Sequence, residues 1–138
     1  MLLKNKTATL RLSVFARTMI DIYNEILLAK TESKKLLAIL LDPDKLSVEN
    51  LSNLIRKINQ SPATHILVGG SSFNGTHLDE LIIELKSKIN LPILLFPGNP
   101  SQISDKADGI LFLTLLSGRN SDYLIEHQIN AVPILKKT

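Results

Sequence analysis

The stretch LLAILLDPDK at residues 36–45 decides the fold of this chain. Its six leading apolar residues are too few for a membrane span and too uniformly apolar for a half-exposed strand. They predict a central strand covered on both faces, as in parallel α/β sheets. Because Asp42 and Asp44 follow directly, two carboxylates should lie at the carboxyl end of this strand, where α/β proteins bind ligands. A simpler interpretation fits this segment equally well, namely a cap and turn before the next helix.

Composition narrows the class of protein to a globular domain with an aliphatic core. Hydrophobic residues make up 44% of the 138 residues, which excludes a disordered chain and suits one domain or part of a larger one. Aromatic residues make up only 4% and Trp is absent, so we expect a core of Leu and Ile and no nucleic-acid partner. The net charge of +3 is scattered along the chain and favours anionic ligands only weakly.

Neither cysteine chemistry nor a membrane-spanning pattern is found in the sequence. Since Cys is absent, disulfides, thiolate metal sites and a cysteine nucleophile are excluded, and a cytoplasmic location is the default. No apolar stretch approaches the roughly 20 residues that a transmembrane helix needs. Residues 1–18 are basic, lack acidic residues and show no sustained period. Because Met19 directly precedes a helical pattern, we expect the natural start near Met19 and a disordered extension over 1–18.

Four predicted strands alternate with helices in the rest of the chain. Ser47 can cap the second helix, Thr76 and Asp79 form a capping box for the third, and Pro133 should end or kink the last. No hairpin signal separates any two strands. The strands are predicted at 36–41, 65–68, 92–96 and 109–113, and the helices at about 19–30, 47–61, 76–89, 101–105 and 121–133. This order predicts repeated βα units and a parallel sheet.

All four predicted strands end in Gly, Pro, Asp, Ser or Thr. Gly69, Gly70 and Ser71 follow the second strand, PGNP follows the third at 97–100, and Thr114 follows the fourth. Two glycines let a backbone approach a ligand closely and the following hydroxyl can ligate a metal or a phosphate, although a plain turn explains these residues about as well. Four such endings on one edge of a parallel sheet predict a ligand-binding face.

Four motifs at these strand ends resemble those of a known enzyme family. LLDPDK at 40–45, VGGSS at 68–72, FPGN at 96–99 and LLSGRN at 115–120 occur in order and at the right separations. Together they resemble the geranylgeranylglyceryl phosphate synthase family, which includes the bacterial heptaprenylglyceryl phosphate synthases. Each motif alone is weak, but the ordered set covers the chain from about Ile22 onward. The resemblance implies that 19–138 form the first four βα units, the N-terminal half, of a TIM-type (β/α)8 barrel.

The resemblance also implies an activity, a cofactor and site residues. The family is a prenyltransferase family of ether phospholipid synthesis: with Mg²⁺, it transfers a prenyl group from prenyl diphosphate to the sn-3 hydroxyl of glycerol 1-phosphate. Asp42 and Ser71 stand at the positions that hold the Mg²⁺. Gly69 and Gly70 would let the backbone pass close to a substrate phosphate, and Asp44 is interpreted as a carboxylate that caps the turn. The expected partners are the two substrates, a second copy of the chain and, transiently, a membrane surface.

Two departures from the family pattern limit what the resemblance implies. Leu40 stands where some bacterial relatives carry a lysine that contacts glycerol phosphate, which favours the branch without it. The family's fifth to eighth strands, with the glycerol phosphate loops and the acidic residue that activates the hydroxyl, have no counterpart here. No catalytic residue is assigned for this reason. We expect a fragment, a truncated gene product or one part of an assembly, without activity of its own.

Two other functions stay open. A receiver-like signalling domain fits the acidic pair, Thr114 and a fifth strand at 132–136 ending in lysine, but its third strand lacks the phosphate-accepting aspartate. A half-barrel that only associates with a partner would keep the fold without the activity. In a covered sheet, 36–41 and 109–113 should be the two most buried strands, whereas in an open half-barrel the fourth strand exposes alternate apolar side chains.

Overall fold

The computed structural model describes residues 21–71 and 76–137. The predicted extension, Met19 and Ser72 lie outside these ranges. Two 3-10 turns, Pro43–Lys45 and Pro100–Gln102, and a π-helical turn, Asp122–Glu126, join the regular elements. The helices are α1 (Ile22–Thr31), α2 (Val48–Asn59), α3 (Leu78–Lys88) and α4 (His127–Leu135), and the strands are β1 (Ala38–Leu41), β2 (His65–Val68), β3 (Ile93–Leu95) and β4 (Gly109–Ile110).

The strands form one parallel sheet in the order β1-β2-β3-β4. In register, Leu41 pairs with Val68, Val68 with Leu95 and Leu95 with Ile110, so the four carboxyl ends lie level. Each βα unit therefore adds its strand beside the previous one, which is how a (β/α)8 barrel is built. The predicted parallel α/β half-barrel is confirmed. A receiver-like domain would place its first strand inside the sheet, in the order 2-1-3-4-5, so the strand order contradicts that alternative.

The core is aliphatic, as predicted, and lies where α2 and α3 cover β2 and β3. The helix α2 begins where the sequence predicts, because the Ser47 hydroxyl accepts a hydrogen bond from the Asn50 N–H at 3.3 Å. The buried cluster contains Leu51, Ile55 and Ile58 from α2, Leu78, Ile82 and Leu85 from α3, and Leu41, Ile66, Val68, Ile93 and Leu95 from the strands. Burial of this continuous apolar layer holds the first three strand ends in register.

The expectation that the first strand is covered on both faces is wrong for this chain, and of the two outcomes given for the outer strands the open half-barrel is the one observed. The strand β1 is an edge strand, in which Leu40 is 51% exposed and Leu41 is buried. At the other edge β4 has only two residues, and Phe112 just beyond it is also 51% exposed. The most buried strands are instead β2 and β3, which have a neighbour on either side. This is the open half-barrel pattern that the sequence analysis gave as the second outcome.

Several predicted helix ends also differ from the structure. The N-cap of α3 is His77, with φ of 60°, and not Thr76, while Asp79 accepts a hydrogen bond from the Ser104 hydroxyl at 2.5 Å. The predicted capping box is therefore wrong. The helix α4 continues two residues past Pro133, since proline has a helical φ and removes only one hydrogen bond. Within the described ranges, no helix is long and apolar enough to cross a membrane.

Candidate functional site

Asp42 lies at the carboxyl end of β1 and starts the 3-10 turn. Its Oδ1 accepts a hydrogen bond from the Asp44 N–H at 3.2 Å, and its Oδ2 lies 2.7 Å from the Lys45 ammonium. Pro43 at the first position of the turn fixes φ where the turn needs it. Asp42 therefore accepts a capping hydrogen bond within the turn, to which Asp44 contributes its backbone N–H. Asp42 thus caps the turn, as the simpler interpretation predicts, and it also places a carboxylate at the strand end, as the ligand-binding interpretation predicts.

The carboxylate of Asp42 is ionised and reaches solvent. The hydrogen bond from Lys45 is the largest effect and holds the pKa of Asp42 below its ordinary value, while partial burial opposes this. The same hydrogen bond raises the pKa of Lys45. The Asp42 side chain is 22% exposed and that of Lys45 is 81% exposed. A negative group therefore lies at the sheet edge, paired with the exposed ammonium of Lys45.

Gly70 is the residue that faces this carboxylate from the neighbouring strand end. A Cβ at Gly70 would lie 2.6 Å from Asp42 Oδ1, so any side chain here would displace the carboxylate. Gly69 has a different reason to be glycine, because its Cβ would lie 2.0 Å from the carbonyl oxygen of Phe96 in the β3 loop. Ser71 follows and is exposed. The structure thus brings the ends of β1 and β2 together around Asp42 and Gly70, with Ser71 next in the chain.

Gln102 is a site residue that the sequence analysis missed. It is 1% exposed, and its amide joins two loops: Nε2 donates to the Gly70 carbonyl and Oε1 accepts from the Gly98 N–H, both at 2.9 Å. Asn99 caps the turn that carries Gln102, accepting from the Ser101 N–H at 2.9 Å. Gln102 therefore holds the loop that faces Asp42 against the loop after β3. Periodicity gives no signal for it, since it lies in an irregular, proline-rich segment.

An apolar cavity of about 250 Å³ lies beside this edge. The π-helical turn forms part of its wall and is attached to the segment after β4 by Gln128, whose Nε2 donates to the carbonyls of Leu113 and Tyr123, each at 3.0 Å. Gly98 and Asn99 line the cavity, so it adjoins the loop that Gln102 joins to Gly70. The apolar lining comprises Pro97, Pro100, Ile103, Ile110, Phe112, Leu113, Leu115, Tyr123 and Ala131. A ligand with an apolar chain and a polar head matches this arrangement.

The protein oxygens near Asp42 can coordinate a metal cation only if a bound substrate supplies further oxygen atoms. Within residues 21–71 and 76–137, no three His, Asp or Glu side chains cluster closely enough to hold a metal. A hard cation such as Mg²⁺ commonly takes one or two protein carboxylates and fills its octahedron with water and phosphate oxygens. The Asp42 carboxylate lies at the sheet edge with its side chain 22% exposed, and it fits that mode of binding.

Sequential parallel βα units with a glycine-rich, acidic carboxyl edge have the fold of one half of a (β/α)8 barrel. The PcrB family model matches residues 29–138, and the chain belongs to the PcrB family. It is 65% identical over 117 residues to the geranylgeranylglyceryl phosphate synthase of Flavobacterium johnsoniae, covering 85% of this chain and 48% of that protein. It is 49% identical over 114 residues to the synthase of Zunongwangia profunda, covering 83% of this chain and 48% of that protein.

Two solved structures of geranylgeranylglyceryl phosphate synthases also resemble this chain over part of their length. The synthase of Thermoplasma acidophilum, in complex with its substrate sn-glycerol-1-phosphate, matches with a TM-score of 0.72 at 32% identity, covering 83% of this chain and 47% of that one. The enzyme of Thermoplasma volcanium matches with a TM-score of 0.67 at 29% identity, over 75% of this chain and 42% of that one. The chain therefore spans about half the length of the relatives it matches.

Proposed function

We propose that this chain carries the diphosphate-binding half of a geranylgeranylglyceryl phosphate synthase site. The reaction transfers a prenyl group from prenyl diphosphate to the sn-3 hydroxyl of glycerol 1-phosphate, a step of ether-lipid synthesis in the cytoplasm. The observation that carries this proposal is the Asp42 carboxylate facing the side-chain-free Gly70, next to an apolar cavity. The names of the relatives support the two substrates.

Each part of the edge has a role in this proposal. Asp42 and Ser71 hold Mg²⁺, which when bound offsets the charge that develops on the departing diphosphate. Gly69 and Gly70 let the backbone approach the diphosphate oxygens, and Gln102 fixes the position of that backbone. The cavity binds the prenyl chain and excludes water from the carbon that reacts. In this way the chain orients the leaving group and shields the reacting centre.

The acceptor half of the site belongs to the part of the relatives that this chain does not span. The family resemblance places the glycerol phosphate loops and the acidic residue that activates the hydroxyl in the fifth to eighth βα units. Asp42 is committed to the Mg²⁺ in this scheme, so the acceptor proton needs another base. We therefore expect turnover only when those units complete the barrel, in an assembly that includes further copies of the protein.

The test is to complete the barrel. The chain is joined at its last residue to the remaining half of the Flavobacterium johnsoniae synthase and assayed with geranylgeranyl diphosphate, glycerol 1-phosphate and Mg²⁺. We expect turnover that is lost in Asp42→Asn. The matched control is Asp105→Asn, since Asp105 is also paired with a lysine at 2.7 Å but precedes β4 at the opposite end of the strand. A joined protein that turns over equally well without the Asp42 carboxylate would contradict the proposal.

A second candidate function follows from the exposed outer strands. Leu40 at one edge and Phe112 at the other leave apolar surface and backbone groups open to a further strand on each side. A half-barrel of this kind could serve only to associate with a partner. The joined protein separates the two candidates, because an association module would fold and pair without Mg²⁺-dependent turnover.

A further inference from the structure

Lys45 contacts the candidate site through its side-chain ammonium. Its ammonium lies 2.7 Å from Asp42 Oδ2, and its side chain is otherwise 81% exposed. Its backbone is fixed, since the Lys45 N–H donates to the Asp42 carbonyl at 3.0 Å within the 3-10 turn. The flexible four-carbon stem can therefore swing while its origin stays beside the carboxylate.

We propose, resting on the function proposed above, that Lys45 is a positioning residue that holds the Asp42 carboxylate until a cation arrives and then binds a diphosphate oxygen. The substrate class that it recognises is a diphosphate that enters together with a divalent cation. Lys45 opposes the binding of a bare cation and favours the binding of the cation with its diphosphate.

A bare cation and the Lys45 ammonium compete for the Asp42 carboxylate. Both oxygens of Asp42 are already engaged, Oδ1 by the Asp44 N–H and Oδ2 by the Lys45 ammonium. A divalent cation bound to the exposed part of this carboxylate would stand close to the positive charge of the Lys45 ammonium, which lies 2.7 Å from Oδ2. Two like charges at this separation repel, so a bare cation displaces Lys45 or binds weakly.

A diphosphate changes the charge balance around Lys45. A diphosphate carries more negative charge than the single carboxylate, so its arrival with the cation gives the released ammonium a stronger partner. Hydrogen bonds from an ammonium to a phosphate oxygen are charge-assisted and stronger than those between neutral groups. Because Lys45 is mostly in solvent, leaving Asp42 costs it little. Lys45 thus weakens the binding of a bare cation and strengthens the binding of the cation together with a diphosphate.

Binding measurements on the 138-residue chain test this without turnover. Mn²⁺ binding alone is followed by electron paramagnetic resonance, and labelled inorganic pyrophosphate is followed by equilibrium dialysis in excess Mn²⁺. In Lys45→Met we expect Mn²⁺ to bind about two- to fivefold tighter and pyrophosphate about tenfold more weakly. Lys45→Arg should restore both affinities toward the original. The matched control is Lys34→Met, which removes an exposed lysine paired with Glu32 at 2.7 Å before β1.

The outcomes separate this inference from the function on which it rests. Asp42→Asn must weaken Mn²⁺ binding; if it does not, the proposed metal site and the inference both fail. If Asp42→Asn weakens it but Lys45→Met changes neither affinity, Lys45 is a surface ion pair only and the inference alone is overturned. A loss of both affinities in Lys45→Met would also overturn it, since that pattern indicates a structural role.

Discussion

The buried amide of Gln102 offers a sharp test of how the site is built. Replacing it by Ala removes the donor to the Gly70 carbonyl and the acceptor for the Gly98 N–H, two hydrogen bonds of 2.9 Å inside a group that is 1% exposed. Each backbone group left without a partner costs roughly 1–3 kcal/mol, so the loss of two should lower the free energy of unfolding of Gln102→Ala by roughly 2–6 kcal/mol. That is a large share of the roughly 5–15 kcal/mol available to a small domain.

Urea denaturation followed by circular dichroism measures this loss. The control is Gln60→Ala, at the exposed end of α2, which should change stability by no more than about 0.5 kcal/mol. Gln102→Glu keeps an acceptor for Gly98 but loses the donor to Gly70 and buries a charge, so it should also destabilise the fold. Equal losses for Gln102→Ala and Gln60→Ala would refute the claim that this amide joins the two loops.

Three further predictions follow from the same geometry. In the completed barrel, Asp42→Asn should abolish turnover with little loss of stability, whereas Asp44→Asn should be milder because its backbone N–H makes the capping contact; equal kinetic losses would contradict this. Gly70→Ala should weaken prenyl diphosphate binding more than it lowers the melting temperature, since its Cβ would lie 2.6 Å from Asp42 Oδ1; a pure stability loss would favour a plain turn. Sedimentation of the 138-residue chain should show self-association without turnover, reduced by Leu40→Lys at the exposed edge; a monomer that turns over would contradict both expectations.

The strands of the sheet were predictable because each one is marked by residues within or next to it in the sequence. Short apolar runs bounded by Gly, Pro and Asp located all four strands, and Ser47 located the start of α2. The same reasoning overestimated burial of 36–41. A continuous apolar run suits a strand with neighbours on both sides, whereas in this chain β1 has a neighbour only on the side of β2. Burial at an edge depends on what pairs with that edge.

The site was predictable only in part for a similar reason. Asp42 and Gly70 could be singled out, because an acidic group and a glycine pair both follow buried strands and the parallel register brings strand ends together. Gln102 could not, since its partners are backbone groups of Gly70, 32 residues away, and of Gly98 in an irregular loop. The capping box predicted at Thr76 is wrong because His77 has a left-handed backbone conformation and is itself the N-cap of α3. The sequence pattern of a capping box does not reveal such a conformation.

The central claim is that this half-barrel holds the diphosphate end of a prenyltransferase site. Isothermal titration of the 138-residue chain with geranylgeranyl diphosphate, and separately with glycerol 1-phosphate, tests it most directly. The account predicts binding of the diphosphate that requires Mg²⁺ and is lost in Asp42→Asn, together with no measurable binding of glycerol 1-phosphate. Diphosphate binding that is indifferent to both Mg²⁺ and the Asp42 carboxylate would contradict it.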